Sequence, residues 1–350
     1  MDPQDRSAHL RKMMRPYEGS AHKVVALRLE AGERHILATG DPVSEEDGAL
    51  IFEIGSITKV FTAILLCLLV EEGRVDPKAP LSALSDGLAH IPNQITPERL
   101  VSHTSGLPTL PMPLWRALFQ SYPESPYAAI SWADLTAWFQ TWPGKAPGAH
   151  AYSNLGVGLL GDALALQAGK PFGALLTERV LAPLGLRDTV EHLSPDQQDR
   201  FLQPRHPRGR PVLPWRFQSL AGAGCLRASA EDLGRFAAAV LQALRAPETP
   251  LERAICRSTR PILGLGRRGA MTPMAQCAGW LSVHLDKEGP SFLFHNGGTA
   301  GSTSALYICP ETAQALVLLV NSGVAGNLWA STKLNWSNPL GQAQAYFSAT

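Results

Sequence analysis

Ile51-Phe52-Glu53-Ile54-Gly55-Ser56-Ile57-Thr58-Lys59-Val60-Phe61-Thr62-Ala63-Ile64-Leu65-Leu66-Cys67-Leu68-Leu69-Val70 is the stretch on which the reading of the whole chain turns. Its first four residues lead into Gly55-Ser56. The residues that follow are apolar on nearly every face until Gly73, where a helix ends. A helix apolar all round belongs inside a large core. The run Val60–Val70 is about half of the roughly 20 residues needed to cross a bilayer, so it is read as a core helix with no membrane partner. Ser56 then opens a buried helix, and Lys59 follows on the same face about one turn away.

Upstream, His22–Glu30 and Arg34–Thr39 alternate and meet across Ala31-Gly32, which predicts a hairpin at a sheet edge. Downstream, strand signals fade from about Asp76 to Asp188, and helical segments punctuated by Pro and Gly replace them, including Leu155–Ala168 and Pro171–Leu181. Val190–Leu220 is rich in Pro and Arg without a period and is expected to form one or two long ordered loops. After a helix over Ala230–Leu244, strands return at Trp280–Leu285, Phe292–His295, Ser304–Cys309 and Ala315–Asn321, with a turn at Asp286-Lys287-Glu288-Gly289. The expected class is α/β (α+β): an antiparallel sheet flanked by helices, built from both chain ends, with a helical insertion. The corresponding domains are 1–75 with 221–350 for the sheet, and 76–220 for the mostly helical part and its loops.

The 350 residues are 45% hydrophobic, enough for one large core or two that share an interface. Lys plus Arg total 31 against 30 for Asp plus Glu, which leaves no overall field to hold nucleic acid or an anionic membrane. The first twenty residues are polar and lack the apolar stretch of a secretory signal, so the expected compartment is the cytoplasm. Five scattered cysteines (Cys67, Cys225, Cys256, Cys277, Cys309) form no C-x-x-C pair, which predicts reduced thiols and implies neither a metal nor another cofactor. The oligomeric state is left open.

Three short patterns carry chemistry. Ser56-x-x-Lys59 pairs a weak nucleophile with an amine that serves as its base only while neutral, which burial favours. Taken alone, Ser56 reads equally as a helix cap and Lys59 as a surface charge. A second copy, Ser20-Ala21-His22-Lys23, leads into an alternating strand and lacks the helix context. Tyr152-Ser153-Asn154 precedes a helix. A tyrosine relays a proton when nearby cations lower its pKa, and an asparagine offers both a donor and an acceptor; the bland alternative is that Asn154 caps the helix. His295-Asn296-Gly297-Gly298 closes a strand, and its two glycines allow close backbone approach to a ligand. Lys287-Glu288-Gly289 has a related form but falls in a hairpin turn.

Together and in this order, the three patterns resemble the signature motifs of the class C β-lactamase superfamily, which includes family VIII esterases and D-amino-acid peptidases and shares the penicillin-binding-protein fold. Ile95-Thr96-Pro97-Glu98-Arg99-Leu100, His103-Thr104-Ser105-Gly106-Leu107-Pro108, Ala182-Pro183-Leu184-Gly185-Leu186 and Ala221-Gly222-Ala223-Gly224 are similar to connecting segments of that family, so the likeness covers about Val24 to Ser322. His103 and Ser105 read as a structural turn. The resemblance implies Ser56 as nucleophile, Lys59 with Tyr152 as shared general base, Asn154 on the substrate carbonyl, and the Gly298 N–H opposite that of Ser56 as an oxyanion hole. Where dedicated class C enzymes carry lysine this chain has His295, which would hold a substrate carboxylate strongly only when protonated.

The expected activity is that of a serine hydrolase acting on a small-molecule ester, amide or lactam, with an esterase or amidase favoured over a resistance enzyme. Transfer of the acyl group to an amine or alcohol, as in an acyltransferase or peptide cyclase, and an idle binding protein on the same fold are the alternatives. Gly156-Val157-Gly158-Leu159-Leu160-Gly161 and Gly264-Leu265-Gly266-Arg267-Arg268-Gly269 fit G-x-G-x-x-G without a βαβ setting; the first is read as a close helix contact. Arg205, Arg208, Arg210 and Arg216 read as a solvated loop, with Trp215 a candidate wall of the acyl pocket. Asn335-Trp336-Ser337 matches a glycosylation sequon and carries no weight without secretion.

Overall fold

The computed structural model describes residues 3–18, 23–112, 125–266, 274–284, 289–323 and 337–348. Strands β1 (Val24–Glu30) and β2 (Glu33–Thr39) form the hairpin expected at the edge, turning at Ala31 and Gly32, which both take positive φ. His22, at the start of the expected strand, lies outside the described residues. Short strands β3 (Ile51–Glu53) and β4 (Arg227–Ser229) pair as a separate ribbon. β5 (Leu263–Gly266), β6 (Met274–Gln276), β7 (Leu281–Val283), β8 (Phe292–Gly298), β9 (Thr303–Cys309) and β10 (Gln314–Val320) complete one antiparallel sheet of eight strands in the order β2-β1-β10-β9-β8-β7-β6-β5. β1 pairs with β10, so strands from near the two ends of the chain lie side by side, second and third in the sheet.

The central strands are buried on both faces, and their side chains divide by parity. Val25, Leu27, Leu29, Leu306, Ile308, Val317 and Leu319 point into the main core. Val24, Ala26, Tyr307, Cys309, Leu316 and Leu318 point the other way, where Leu10, Met13 and Met14 of α1 (Pro3–Glu18) and Leu340, Tyr346 and Phe347 of the helix Ser337–Ser348 cover them. The main core is continuous from the sheet through α2 (Thr58–Glu71) into the middle of the chain, including Leu135, Leu159, Leu164 and Leu176. α2 is buried from Thr58 to Leu69, as an all-apolar sequence requires. Among the described residues no helix is long and apolar enough to cross a membrane.

The structure differs from the sequence reading in three places. The expected four-strand meander gains β5 and β6 at its outer side, and the second G-x-G-x-x-G begins inside β5. Pro195–Arg200 forms a helix within the expected loop, started by a capping box in which Ser194 and Gln197 serve each other's backbone N–H groups. The helix predicted from Pro171 ends at Leu176 and continues as a wider turn over Thr177–Leu181. The turn residues Asp286, Lys287 and Glu288 lie outside the described residues, as do Arg267 to Gly269, Asn335 and Trp336.

Candidate active site

β3 ends against a tight turn, Gly55–Ile57, that runs directly into α2 and leaves Ser56 partly exposed in an otherwise buried segment. Gly55 adopts φ +48 and could not be replaced cheaply: a β-carbon there would stand 2.8 Å from the Gly298 amide nitrogen. The end of β8 is pressed onto this turn. The Ser304 hydroxyl donates to the Ile54 carbonyl at 2.8 Å, and a β-carbon on Gly297 would collide with that same carbonyl. Gly297 is therefore required by the fit of strand against turn. The fit brings the Gly298 amide against Gly55, the residue before Ser56.

Lys59 lies wholly inside the protein, its Nζ 2.8 Å from Ser56 Oγ and 2.6 Å from the Ala223 carbonyl oxygen. No carboxylate faces it among the described residues, and burial alone holds its pKa well below that of a free lysine. A neutral amine can accept the Ser56 proton while still donating to Ala223. Tyr152 closes the third side: its hydroxyl donates to Ser56 Oγ at 2.8 Å and its ring lies 5.1 Å from Lys59 Nζ. The sequence reading looked to nearby cations to lower the Tyr152 pKa. In the structure burial raises that pKa, despite the hydrogen bond to Ser56. Tyr152 therefore rests as a proton donor. The residue as a whole is 42% exposed and lines a groove of about 270 Å³ with Leu107, Pro108, Thr109, Trp138 and Trp142.

Asn154 does not cap its helix. Ser153 does, accepting from the Gly156 N–H, which frees the asparagine at the first turn of the helix Asn154–Ala168. The buried Tyr127 hydroxyl is hydrogen-bonded to the Asn154 side chain, while Asn154 Oδ1 is buried with no partner among the described residues. An amide held at one end and open at the other is poised for an incoming hydrogen bond. His295 lies at 8% exposure with Nδ1 2.6 Å from the Asn296 carbonyl oxygen. A carbonyl only accepts, so Nδ1 carries the hydrogen and Nε2 the lone pair. Burial, reinforced by Lys59, takes the imidazole pKa down to about 3 against the pull of that carbonyl.

Sequence reasoning passed over several groups that shape the site. His103, read as part of a turn, takes φ +59, accepts from the Ser153 N–H at Nδ1, and lays its ring 4.5 Å from that of Tyr152. It is neutral, since burial, with Lys59, His150 and His295 nearby, drops its pKa well below the usual value. Glu53 is a buried carboxylate that accepts from the Trp215 N–H at 2.6 Å and the Thr299 hydroxyl at 2.7 Å. It pins the Trp215 loop and the segment after Gly298 to the strand before Ser56. A glutamate inside the apolar run Ile51–Ile54 was the available signal. Trp215 and Phe217 stack around Tyr127 and reach toward Gly224 beside Gly55, which puts Trp215 at the border of the site.

The chain belongs to the Beta-lactamase family, whose model matches residues 18–332. Among named relatives, it is 35% identical to the D-alanyl-D-alanine-carboxypeptidase/endopeptidase AmpH of Escherichia coli (strain K12) over 165 residues, 43% of this chain and 40% of that protein. It is 30% identical to a β-lactamase of Providencia stuartii over 212 residues, 59% of this chain and 50% of the relative. The chain thus spans about half the length of these relatives. In solved structures, the fold matches a β-lactamase/D-alanine carboxypeptidase from Pseudomonas syringae with a TM-score of 0.76 at 22% identity, covering 98% of this chain and 97% of that one. It also matches a class C β-lactamase from Rhodobacter sphaeroides with a TM-score of 0.75 at 18% identity, covering 98% of both chains.

Proposed function

We propose that this protein is a serine hydrolase that forms an acyl-enzyme on Ser56 and hydrolyses a neutral ester or amide. The observation that supports this most is the convergence on one oxygen: Ser56 Oγ lies 2.8 Å from a buried amine and 2.8 Å from a phenol distant along the chain. As Oγ attacks the carbonyl carbon, the Lys59 lone pair takes its proton. Charge developing on the carbonyl oxygen is met by the backbone N–H groups of Ser56 and Gly298. Tyr152 gives its proton to the departing alkoxide or amine, and Lys59 restores it along the hydrogen-bonded groups around Oγ. Water then repeats the sequence on the acyl-enzyme, and Asn154 holds the acyl side of the substrate.

His295 narrows the substrate class. A neutral imidazole that already donates through Nδ1 presents only an acceptor and gives no cationic hold on a carboxylate, so esters and amides without an adjacent carboxylate are favoured over β-lactams. The groove beside Tyr152, floored by Trp138 and Trp142, offers apolar room for one substituent. We assign residues 1–75 and 221–350 to a sheet domain and 76–220 to a helical domain, with the site at their junction.

The test is turnover of uncharged p-nitrophenyl esters and of a chromogenic carboxylate-bearing β-lactam by the wild type and Ser56→Ala. Ester hydrolysis that disappears in Ser56→Ala, with the lactam turned over slowly, is the expected result. Hydrolysis untouched by Ser56→Ala, or a preference for the lactam, would overturn the reading.

A further inference from the structure

We propose that Asp162 is a positioning residue for Lys59: it holds the turn Leu220–Gly224 against the helix that follows Tyr152 and so aims the Ala223 carbonyl at the lysine amine. The inference rests on the role given above to Lys59 as base. Asp162 Oδ2 accepts from the Leu220 N–H at 2.8 Å. Leu220 adopts φ +64, a left-handed conformation unfavourable for a non-glycine residue, and so needs something to hold it. The turn that follows is tight, with Ala223 N–H donating to Leu220 O at 3.0 Å and Gly224 N–H to Ala221 O at 3.1 Å. The directions of the next carbonyls therefore follow from Leu220. Gly222 O accepts from the Thr62 hydroxyl at 2.8 Å and Ala223 O from Lys59 at 2.6 Å, two partners on one face of α2.

The other side of the contact is the helix Asn154–Ala168. A β-carbon on Gly158 would stand 2.6 Å from Leu220 Cβ, and one on Gly161 would stand 3.0 Å from Gly222 Cα. This gives Gly158 and Gly161 of the first G-x-G-x-x-G their meaning as a strip along which backbone meets backbone, with Asp162 as its polar clasp. The same helix begins beside Tyr152, so Lys59 and Tyr152 are held in register through one shared contact. Asp162 is half-buried, and the loss of water around its carboxyl raises its pKa to about 7 against the Leu220 N–H, with Glu191 adding to the rise. Either protonation state keeps an oxygen available to Leu220, so the clasp persists across neutral pH.

Asp162→Leu and Asp162→Asn are compared with the wild type for kcat, KM, the rate of Ser56 labelling by a fluorophosphonate, and the midpoint of the acid limb of kcat/KM. Asp162→Leu is expected to lower kcat about ten- to a hundredfold with KM changed less than about threefold, to slow labelling in parallel, and to move the midpoint. Asp162→Asn, which retains an oxygen toward Leu220, is expected to recover most of that loss. Should Asp162→Leu fail to fold, Gly161→Ala presses the same turn away from the helix and is expected to lower kcat and shift the midpoint in the same sense. Wild-type kcat and midpoint in Asp162→Leu, or in Gly161→Ala where that variant replaces it, would overturn the inference alone. A wild-type protein that the probe does not label at Ser56 would overturn the hydrolase reading first.

Discussion

Two lysines in this chain stand three residues after a serine, and the protein treats them in opposite ways. Lys23 and Lys59 are both buried, at 4% and 0% exposure. Lys23, at the start of β1, forms an ion pair with Asp47 at 3.1 Å and also donates to the carbonyls of Gly40 and Pro42, so every hydrogen on its ammonium is committed. Lys59 meets a hydroxyl, a carbonyl and an aromatic ring, and no counter-charge among the described residues. Burial with a carboxylate makes a strut; burial without one is what the proposed base requires. The Ser-x-x-Lys spacing is common to both and decides nothing by itself.

The comparison breaks most visibly at the second lysine. Lys59→Arg puts a permanent cation in the site and cannot supply a lone pair, so ester turnover is expected to fall by about a thousandfold or more, as for Ser56→Ala, and the buried unpaired charge is expected to lower the thermal midpoint as well. Tyr152→Phe removes the proton donor alone and is expected to cost about 10²- to 10⁴-fold in kcat with the fold intact. Either variant retaining near wild-type turnover would remove its residue from the proton path.

Lys23→Met sharpens the contrast from the other side. It leaves Asp47 buried and unpaired, so stability in urea is expected to drop by about 3–5 kcal/mol while kcat of the folded protein is unchanged. Adding Asp47→Leu is expected to return part of that loss, because two apolar groups replace a broken pair. A fall in kcat in Lys23→Met would mean that the strut also serves the chemistry.

Much of this was legible in the sequence. The apolar run after Ser56 announced a buried helix, and the alternating segments either side of Ala31-Gly32 announced the edge hairpin. Strands β8, β9 and β10 were visible because each carries a stretch of consecutive apolar residues bounded by turn formers. β5 and β6 were not: Leu263-Gly264-Leu265-Gly266 alternates between part-buried and exposed positions and has too few large side chains to register as a strand. At the site, the order of the three motifs identified Ser56, Lys59, Tyr152, Asn154, His295 and Gly298 as candidates. What the sequence could not convey was which charges face which. Nothing local says that Asp47 folds onto Lys23 while only a carbonyl folds onto Lys59, or that His295 spends Nδ1 on its neighbour's backbone.

His295 gives the two smaller effects. His295→Lys introduces a cation at the end of β8 and is expected to shift selectivity toward carboxylate-bearing lactams by roughly tenfold relative to neutral esters, read as the ratio of kcat/KM values. The native state holds this imidazole neutral down to about pH 3, whereas it takes a proton near pH 6.5 when unfolded. The unfolded chain therefore binds more protons across that window, so this contribution to stability is complete above pH 6.5 and is lost as pH falls toward 3. His295→Gln is expected to flatten that part of the profile of stability against pH. An unchanged slope would show that other buried groups, His103 first, carry it.

Neutrality of Lys59 is most directly tested by the rate at which a fluorophosphonate labels Ser56 as a function of pH, followed by intact-protein mass spectrometry. The expected rate climbs as Lys59 loses its proton, with a midpoint well below the 10.5 of a free lysine, and the limb is absent from the residual labelling of Lys59→Met. A midpoint at or above 10.5, or the same limb in Lys59→Met, would contradict a neutral lysine base beside Ser56.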